Sequence, residues 1–206
     1  MYLSVRSRVL GTAKSSCKEK FMGTVSGSRV GRRAIFLDRD GVINVKLPCD
    51  RYVCSPAEFQ FVPGAIEALS ILKDSGFLLV IVTNQRGIAL GRHGEDDLEK
   101  VHAYMCEELL KDGVELDAIY YCPHDTIDHC ECRKPEPGMI FRACQDLNID
   151  LTNSYMVGDS PSDIAAGRKA GSLTVSIGNF EESQADLMFA TLLDFAVYLK
   201  RESAVH

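Results

Sequence analysis

The sequence predicts an α/β fold, in which a mostly parallel β-sheet is covered by helices on both faces. Short apolar runs alternate along the chain with amphipathic helical patterns, which is typical of this class. Several of the runs end in polar residues or glycine, as strands do at the ligand-binding edge of open α/β sheets. The 206 residues, 46% hydrophobic and 25% charged, indicate one ordinary globular domain.

Six strands are predicted from the apolar runs. Residues 34–37 are wholly apolar, as expected of a strand buried on both faces, and residues 77–82 repeat that pattern. Three shorter strands are predicted at 118–121, 155–157 and 173–177, and a short edge strand at 187–189. Because helices lie between the strands, we expect right-handed crossovers within one sheet.

Five helices are predicted between and after these strands. The first, residues 64–75, has Leu69 and Leu72 on its apolar side and ends before Gly76. The others are predicted at 95–111, 139–147, 162–170 and 192–200. Residues 45–63 are irregular and too few for a separate cap domain, so a fairly open site is expected.

The charge distribution disfavours nucleic acid as a partner. Residues 1–33 contain eight Lys or Arg and one Glu, a net charge of +7, whereas the remaining 15 basic and 28 acidic residues give −13. Such an acidic body does not suit a polyanion. No apolar run approaches 18 residues, so no membrane span is predicted.

Residues 1–32 are interpreted as a basic, disordered leader before a single domain at 33–203. The leader is rich in Arg and Ser, like a transit peptide, but a plain tail or a start at Met22 is the preferred interpretation. It lacks the uninterrupted apolar core of a secretory signal. We therefore expect a cytoplasmic monomer whose eight cysteines are mostly reduced.

Polar residues follow the predicted strands at one edge of the sheet. The carboxylates of Asp38 and Asp40 would repel each other, so a Mg²⁺ ion or a shared proton is expected between them. The alternative is that these two residues form only an acidic turn. A hydroxyl and an ammonium beside them suit a phosphoryl group. An aspartate leading such a site can attack phosphorus itself, although a carboxylate base acting on water is an alternative. The residues concerned are Asp38, Asp40, Thr83, Asn84, Lys134 and Asp159.

A cysteine-rich loop precedes Lys134. Cys122 and His124 form a Cys-x-His pair, and Cys130 and Cys132 form a Cys-x-Cys pair five residues later. Together they offer a closed Cys₃His set for a structural zinc ion, with reduced surface cysteines as the alternative. His129 is expected not to bind the metal. Zinc here would stiffen the loop that carries Arg133 and Lys134.

Four ordered motifs resemble those of the haloacid-dehalogenase-like hydrolase superfamily, and most closely its capless histidinol-phosphatase and heptose-bisphosphate-phosphatase branch. They cover roughly residues 33–179. The resemblance implies a Rossmann-like three-layer sandwich, and that branch shows the same zinc pattern. The motifs are Asp38-x-Asp40-Gly-Val-Ile, Thr83-Asn84-Gln85, Arg133-Lys134-Pro135 and Gly158-Asp159-x-x-x-Asp163.

The resemblance also implies roles for these residues. Asp38 would be the nucleophile that accepts the phosphoryl group, and Asp40 the general acid and then base. Mg²⁺ would be held by the Asp38 carboxylate, the Asp40 main-chain carbonyl and Asp159. Thr83 and Lys134 would bind phosphate oxygens.

Further roles are predicted for residues next to these in the sequence. Asp163 would support Asp159 or Lys134, or simply cap its helix. Arg39 is expected to form a structural ion pair at the rim of the site. The residue after Asp159 is Ser160, where the branch usually carries a basic residue, so the distal end of the substrate is poorly defined.

The resemblance to this branch implies a small phosphorylated sugar as the substrate. The hypothesis that it suggests is removal of the anomeric phosphate of D-glycero-D-manno-heptose 1,7-bisphosphate, with histidinol phosphate as the alternative. A non-catalytic module that binds a phosphorylated ligand and a nucleic-acid-end phosphatase are alternatives of other kinds. Arg133 and Arg86 are candidates for a second phosphate or a sugar hydroxyl, and Tyr52 and Asn84 for the sugar site.

Overall fold

The computed structural model describes residues 7–9 (by their backbone), 31–48, 51–178 and 184–203. Within them, seven parallel strands form one sheet in the order β1-β4-β3-β2-β5-β6-β7. The strands are β1 Ser7–Val9, β2 Ala34–Leu37, β3 Leu78–Asn84, β4 Ala118–Cys122, β5 Tyr155–Gly158, β6 Leu173–Ile177 and β7 Leu187–Phe189.

Among the described residues, five helices cover the two faces of the sheet, as predicted. They are α1 Ala65–Asp74, α2 Glu95–Lys111, α3 Gly138–Leu147, α4 Pro161–Ala170 and α5 Leu192–Ser203. Alternate side chains of β2 point to opposite faces, so Ile35 lies in the core with α1, α2 and α5 while Phe36 lies in the core with α3 and α4. The three-layer α/β/α arrangement follows, with an apolar core on each side of the sheet.

The predicted elements are confirmed, with small differences at their ends. Strand β3 continues through Asn84, two residues further than predicted, and α5 continues to Ser203. Strand β1 was not predicted and pairs with β4 from within the segment interpreted as a leader. Residues 1–6 and 10–30, with Met22, lie outside the described residues, so the leader stays a prediction.

The topology brings the ends of β2, β3 and β5 side by side in the centre of the sheet. Between β2 and α1, the described residues contain only one short 3₁₀ turn, Pro56–Glu58, and no cap domain. The carboxyl edge of these strands is therefore not covered by an inserted domain. No helix in the described ranges has the length and apolarity needed to cross a membrane.

Candidate active site

The turn after β2 is shaped to lie against the end of β5. The Asp38 N–H donates to the Val157 carbonyl at 2.9 Å, which extends the pairing of the two strands by one residue. Gly41 then adopts φ +98°, and a Cβ at this position would lie 2.2 Å from Asp159 Oδ2. Only glycine meets both the positive φ and the close approach. This turn therefore brings the two predicted motifs together.

Three carboxylates converge at this edge around one buried lysine. Oxygens of Asp38, Asp159 and Asp163 lie within 4.8 Å of one another. Lys134 Nζ lies 2.9 Å from Asp38 Oδ1 and 2.6 Å from Asp163 Oδ1, and the lysine side chain is only 2% exposed. Lys134 is thus a buried cation shared by two acids.

Asp163 serves both purposes predicted for it. Besides pairing with Lys134, its Oδ2 accepts hydrogen bonds from the Ser160 N–H at 3.0 Å and the Ser160 hydroxyl at 2.6 Å. Ser160 is the N-cap of α4 and Asp163 is its third residue, so the bond from the Ser160 N–H is the one that the N3 side chain accepts in a capping box. The beginning of α4 therefore fixes the carboxylate that orients Lys134.

Burial raises the pKa of Asp38 to about 7. The Lys134 charge opposes this shift, but Lys134 is shared with Asp163, and the negative charges of Asp163 and Asp40 add to the effect of burial. Asp38 Oδ1 accepts from the Arg39 N–H at 2.8 Å as well as facing Lys134, so this oxygen is held in place.

Asp40 lies in a different electrostatic environment from its neighbour. Arg39 Nη2 donates to both of its oxygens at 2.9 Å, Asn44 Nδ2 donates to Oδ1 at 2.9 Å, and Gln85 Nε2 donates to Oδ2 at 3.1 Å. Burial favours the neutral acid, but the Arg39 charge and these hydrogen bonds outweigh it, so the pKa of Asp40 is lowered. The expected ion pair of Arg39 is confirmed, but its place at the rim is wrong because Arg39 is 1% exposed.

The end of β3 supplies one hydroxyl and two amides. Thr83 is buried, and its hydroxyl accepts from Gln85 Nε2 at 3.0 Å, so Gln85 links Thr83 to Asp40. The Asn84 amide makes two hydrogen bonds of 3.0 Å with the main chain of Lys134. Asn84, predicted for the sugar site, therefore positions Lys134 in this structure.

A cation site fits the carboxylate cluster. Asp159 Oδ1 is buried and has no hydrogen-bond partner among the described residues, so it is an acceptor that a bound cation would satisfy. Asp159 Oδ2 is 2.6 Å from the ammonium of Lys46, a residue that the sequence analysis did not identify. Lys46 lies in an irregular segment without periodicity, and nothing local in the sequence indicates that it reaches Asp159.

The four predicted zinc ligands lie together. Cys122 Sγ is 3.2 Å from Cys132 Sγ and 3.6 Å from Cys130 Sγ, and His124 Nδ1 is 3.3 Å from Cys132 Sγ. In a tetrahedral site with Zn–S bonds of about 2.3 Å, sulfur atoms are about 3.8 Å apart, so this donor set has nearly the required size. His129 is exposed and outside the cluster.

The remaining predicted residues are held by contacts outside the carboxylate cluster. Arg133 Nη1 donates to the His124 carbonyl at 3.2 Å, within the cysteine loop. Arg86 Nε lies 2.5 Å from Asp125 Oδ1, so the arginine is bound to the same loop. Tyr52 packs beside His93, with ring centroids 6.2 Å apart. Their roles toward a substrate stay predictions.

The cysteines outside this cluster are not brought together among the described residues. Cys106 and Cys144 are partly buried beside the two cores, and burial raises the pKa of each thiol to about 11. Both therefore act as small apolar side chains. Cys54 is also free, and Cys17 and Cys49 lie outside the described residues.

Comparisons with known proteins agree with this geometry. Residues 28–171 match the family model for haloacid dehalogenase-like hydrolases. The chain is 48% identical over 145 residues to the D-glycero-beta-D-manno-heptose-1,7-bisphosphate 7-phosphatase of Pasteurella multocida, covering 68% of this chain and 77% of that protein. It is 42% identical over 184 residues to the protein of the same name from Haemophilus ducreyi, covering 82% of this chain and 100% of that protein.

A solved structure is also similar. The D,D-heptose 1,7-bisphosphate phosphatase of B. bronchiseptica, crystallised with magnesium and phosphate, aligns with a TM-score of 0.77 at 34% identity. The alignment covers 82% of this chain and 99% of that chain.

Proposed function

Because the chain belongs to the haloacid dehalogenase-like hydrolases, we propose that it is a magnesium-dependent phosphatase of D-glycero-D-manno-heptose 1,7-bisphosphate. Two relatives that match most of their length bear the name of 7-phosphatases. The proposed ester is therefore the one at C7, and the expectation of an anomeric phosphate is corrected accordingly. The observation that carries the proposal is the buried Asp38 beside Lys134, with a separately stabilised Asp40 two residues later.

In the first step, an Asp38 oxygen attacks phosphorus. Since Oδ1 accepts from the Arg39 N–H and faces Lys134, we assign the attack to Oδ2. A P–O bond forms to Asp38 while the bond to the sugar oxygen breaks, and Asp40 donates a proton to that oxygen. The products are an aspartyl phosphate and the free sugar hydroxyl.

In the second step, Asp40 removes a proton from water, and the water oxygen attacks the phosphorus. Inorganic phosphate leaves and the Asp38 carboxylate is regenerated. The lowered pKa of Asp40 suits the role of base in this step. For the first step Asp40 must carry a proton, which the approach of the negatively charged phosphate favours, because a nearby like charge raises the pKa of a carboxyl.

Phosphate oxygens are bound by Lys134 and Thr83 in this scheme. An ammonium has three N–H donors, and the Lys134 contacts to Asp38 and Asp163 leave one for the substrate. The Asp38 carboxylate, the Asp40 carbonyl and Asp159 would hold Mg²⁺, which when bound offsets the repulsion between carboxylates and phosphate. The unpartnered Asp159 Oδ1 supports this assignment.

We also propose that the Cys₃His cluster holds a structural zinc ion. Cys132 is two residues before Lys134, and Arg133 is bonded to the carbonyl of His124, itself a member of the cluster. Zinc would therefore fix the segment that presents Lys134. Four protein donors would leave no open position, so a chemical role for this metal is not proposed.

Steady-state kinetics test the substrate. We expect kcat/KM for heptose 1,7-bisphosphate, assayed as both anomers, to exceed that for histidinol phosphate by at least about 100-fold, a difference of about 2.7 kcal/mol. Phosphorus NMR of the product should show loss of the C7 signal. A preference for histidinol phosphate would overturn the substrate, and loss of the C1 signal would overturn the position.

A second experiment tests the mechanism. Rapid acid quench with ³²P-labelled substrate should trap phosphate on the wild-type protein, and Asp38→Asn should abolish both labelling and turnover. Binding of the substrate without labelling or turnover in the wild type would favour a phospholigand-binding module. A monomeric state and a cytoplasmic location stay predictions.

A further inference from the structure

Arg39, which holds the proposed general acid, is itself held from a distant helix. His102 lies on the buried side of α2, 63 residues along the chain from Arg39. Its Nε2 is 3.3 Å from Arg39 Nη1, while Arg39 Nη2 donates to both oxygens of Asp40 at 2.9 Å. The guanidinium therefore links α2 to the Asp40 carboxylate.

The chemistry of the guanidinium fixes the protonation of His102. Arginine can only donate hydrogen bonds, so Nε2 must accept and the ring must carry its proton on Nδ1. Burial and the Arg39 charge lower the pKa of His102 to about 3, which agrees with a neutral ring. His102 is 1% exposed, and Tyr121 packs edge-on against it with ring centroids 6.1 Å apart. The acceptor is thus buried and its ring plane is restrained by packing.

Little else orients the Arg39 side chain. Its Nε is buried without a hydrogen-bond partner in the described part of the chain, so the two terminal nitrogens determine the plane of the guanidinium. We propose that His102 is a positioning residue for Asp40, which it orients through Arg39 for proton transfer to the leaving group. This inference rests on the proposed function, because it requires Asp40 to be the general acid.

Leaving-group dependence distinguishes positioning of the acid from a general loss of structure. A sugar alkoxide needs a proton as it leaves, whereas p-nitrophenolate does not. We expect His102→Met to lower kcat/KM, which reports only the first chemical step, about 10-fold for heptose 1,7-bisphosphate and less than about 2-fold for p-nitrophenyl phosphate. His102→Gln, whose amide oxygen can accept from Arg39, should recover most of the loss.

Two control variants separate the possible failures. Leu109→Ala, two turns further along the buried side of α2, should lower thermal stability without changing the ratio of the two kcat/KM values. Asp40→Asn should reduce kcat/KM for the sugar ester far more than for the aryl ester, whereas loss of its role as base in the shared second step lowers kcat for both. If Asp40→Asn reduces both kcat/KM values equally, the acid step of the proposed function fails, whatever His102 does.

The inference about His102 has its own contrary outcomes. It is overturned if His102→Met lowers both kcat/KM values equally, if it changes neither, or if His102→Gln is as impaired as His102→Met. Should the variants not fold, ¹⁵N NMR of the wild-type protein decides. The ring must show a protonated Nδ1 and an accepting Nε2, and a protonated Nε2 overturns the proposal.

Discussion

Replacing Lys134 by Met should test how the charges of the site are balanced. Methionine keeps much of the side-chain volume, so the main loss is the ammonium that lies 2.9 Å from Asp38 and 2.6 Å from Asp163. Removing one partner of a buried ion pair typically destabilises a protein by about 3–5 kcal/mol, because the other charge remains buried. We expect a loss in this range at neutral pH without magnesium, and a decrease in kcat of about 10²–10³ from the lost phosphate donor.

Lys46→Met is the matched control for this substitution. Lys46 also lies 2.6 Å from a carboxylate of the cluster, that of Asp159, but its side chain is 53% exposed. Exposed ion pairs contribute at most about 1 kcal/mol. The same change of side chain should therefore have a much smaller effect on stability.

Urea unfolding followed by far-UV circular dichroism measures both variants, since the chain contains no tryptophan for fluorescence. The double variant Lys134→Met/Asp163→Asn should recover part of the loss, because one of the two unpaired carboxylates becomes neutral. If Lys134→Met and Lys46→Met lower the free energy of unfolding equally, burial of the Lys134 ion pairs does not contribute as expected. The same conclusion follows if the double variant is no more stable than Lys134→Met.

Three further predictions concern the metals and pH. Metal analysis should find about one zinc ion per chain, and Cys132→Ser should lower both the zinc content and the midpoint of thermal unfolding. A wild-type protein that is stable without zinc would contradict this. Lys46→Met should bind Mg²⁺ more tightly by calorimetry, because the Lys46 ammonium beside Asp159 Oδ2 repels a cation that binds at Oδ1. Equal or weaker binding would contradict this. Without magnesium, stability should fall as pH rises from about 4 to about 7, because folded Asp38, with its pKa raised from 3.8 to about 7, retains a proton that the unfolded chain releases. Urea midpoints across this range should fall less in Asp38→Asn, and an equal fall would show that other groups are responsible.

Local sequence was enough to predict six of the seven strands that the described residues contain. Strands buried on both faces are apolar runs, and each such run was visible without knowledge of its neighbours, as at residues 34–37. Strand β1 was missed because it lies at the edge of the sheet, in a segment dominated by basic and small residues. Its pairing with β4 is a long-range contact that has no local signal.

The sequence by itself determined which residues we assign to the chemistry: the proposed nucleophile and acid after β2, the lysine and aspartates at neighbouring strand ends, and the Cys₃His set. Their types and spacing favour a phosphoryl-transfer site because parallel strands end at one edge. Only the tertiary structure decided which contacts orient these residues and how deeply they are buried. The burial of Lys134 between two acids, the Lys46 contact to Asp159 and the support of Arg39 by His102 each join residues more than 20 positions apart in the chain. The spacing of residues along a sequence does not encode such contacts, because they depend on how the finished elements pack.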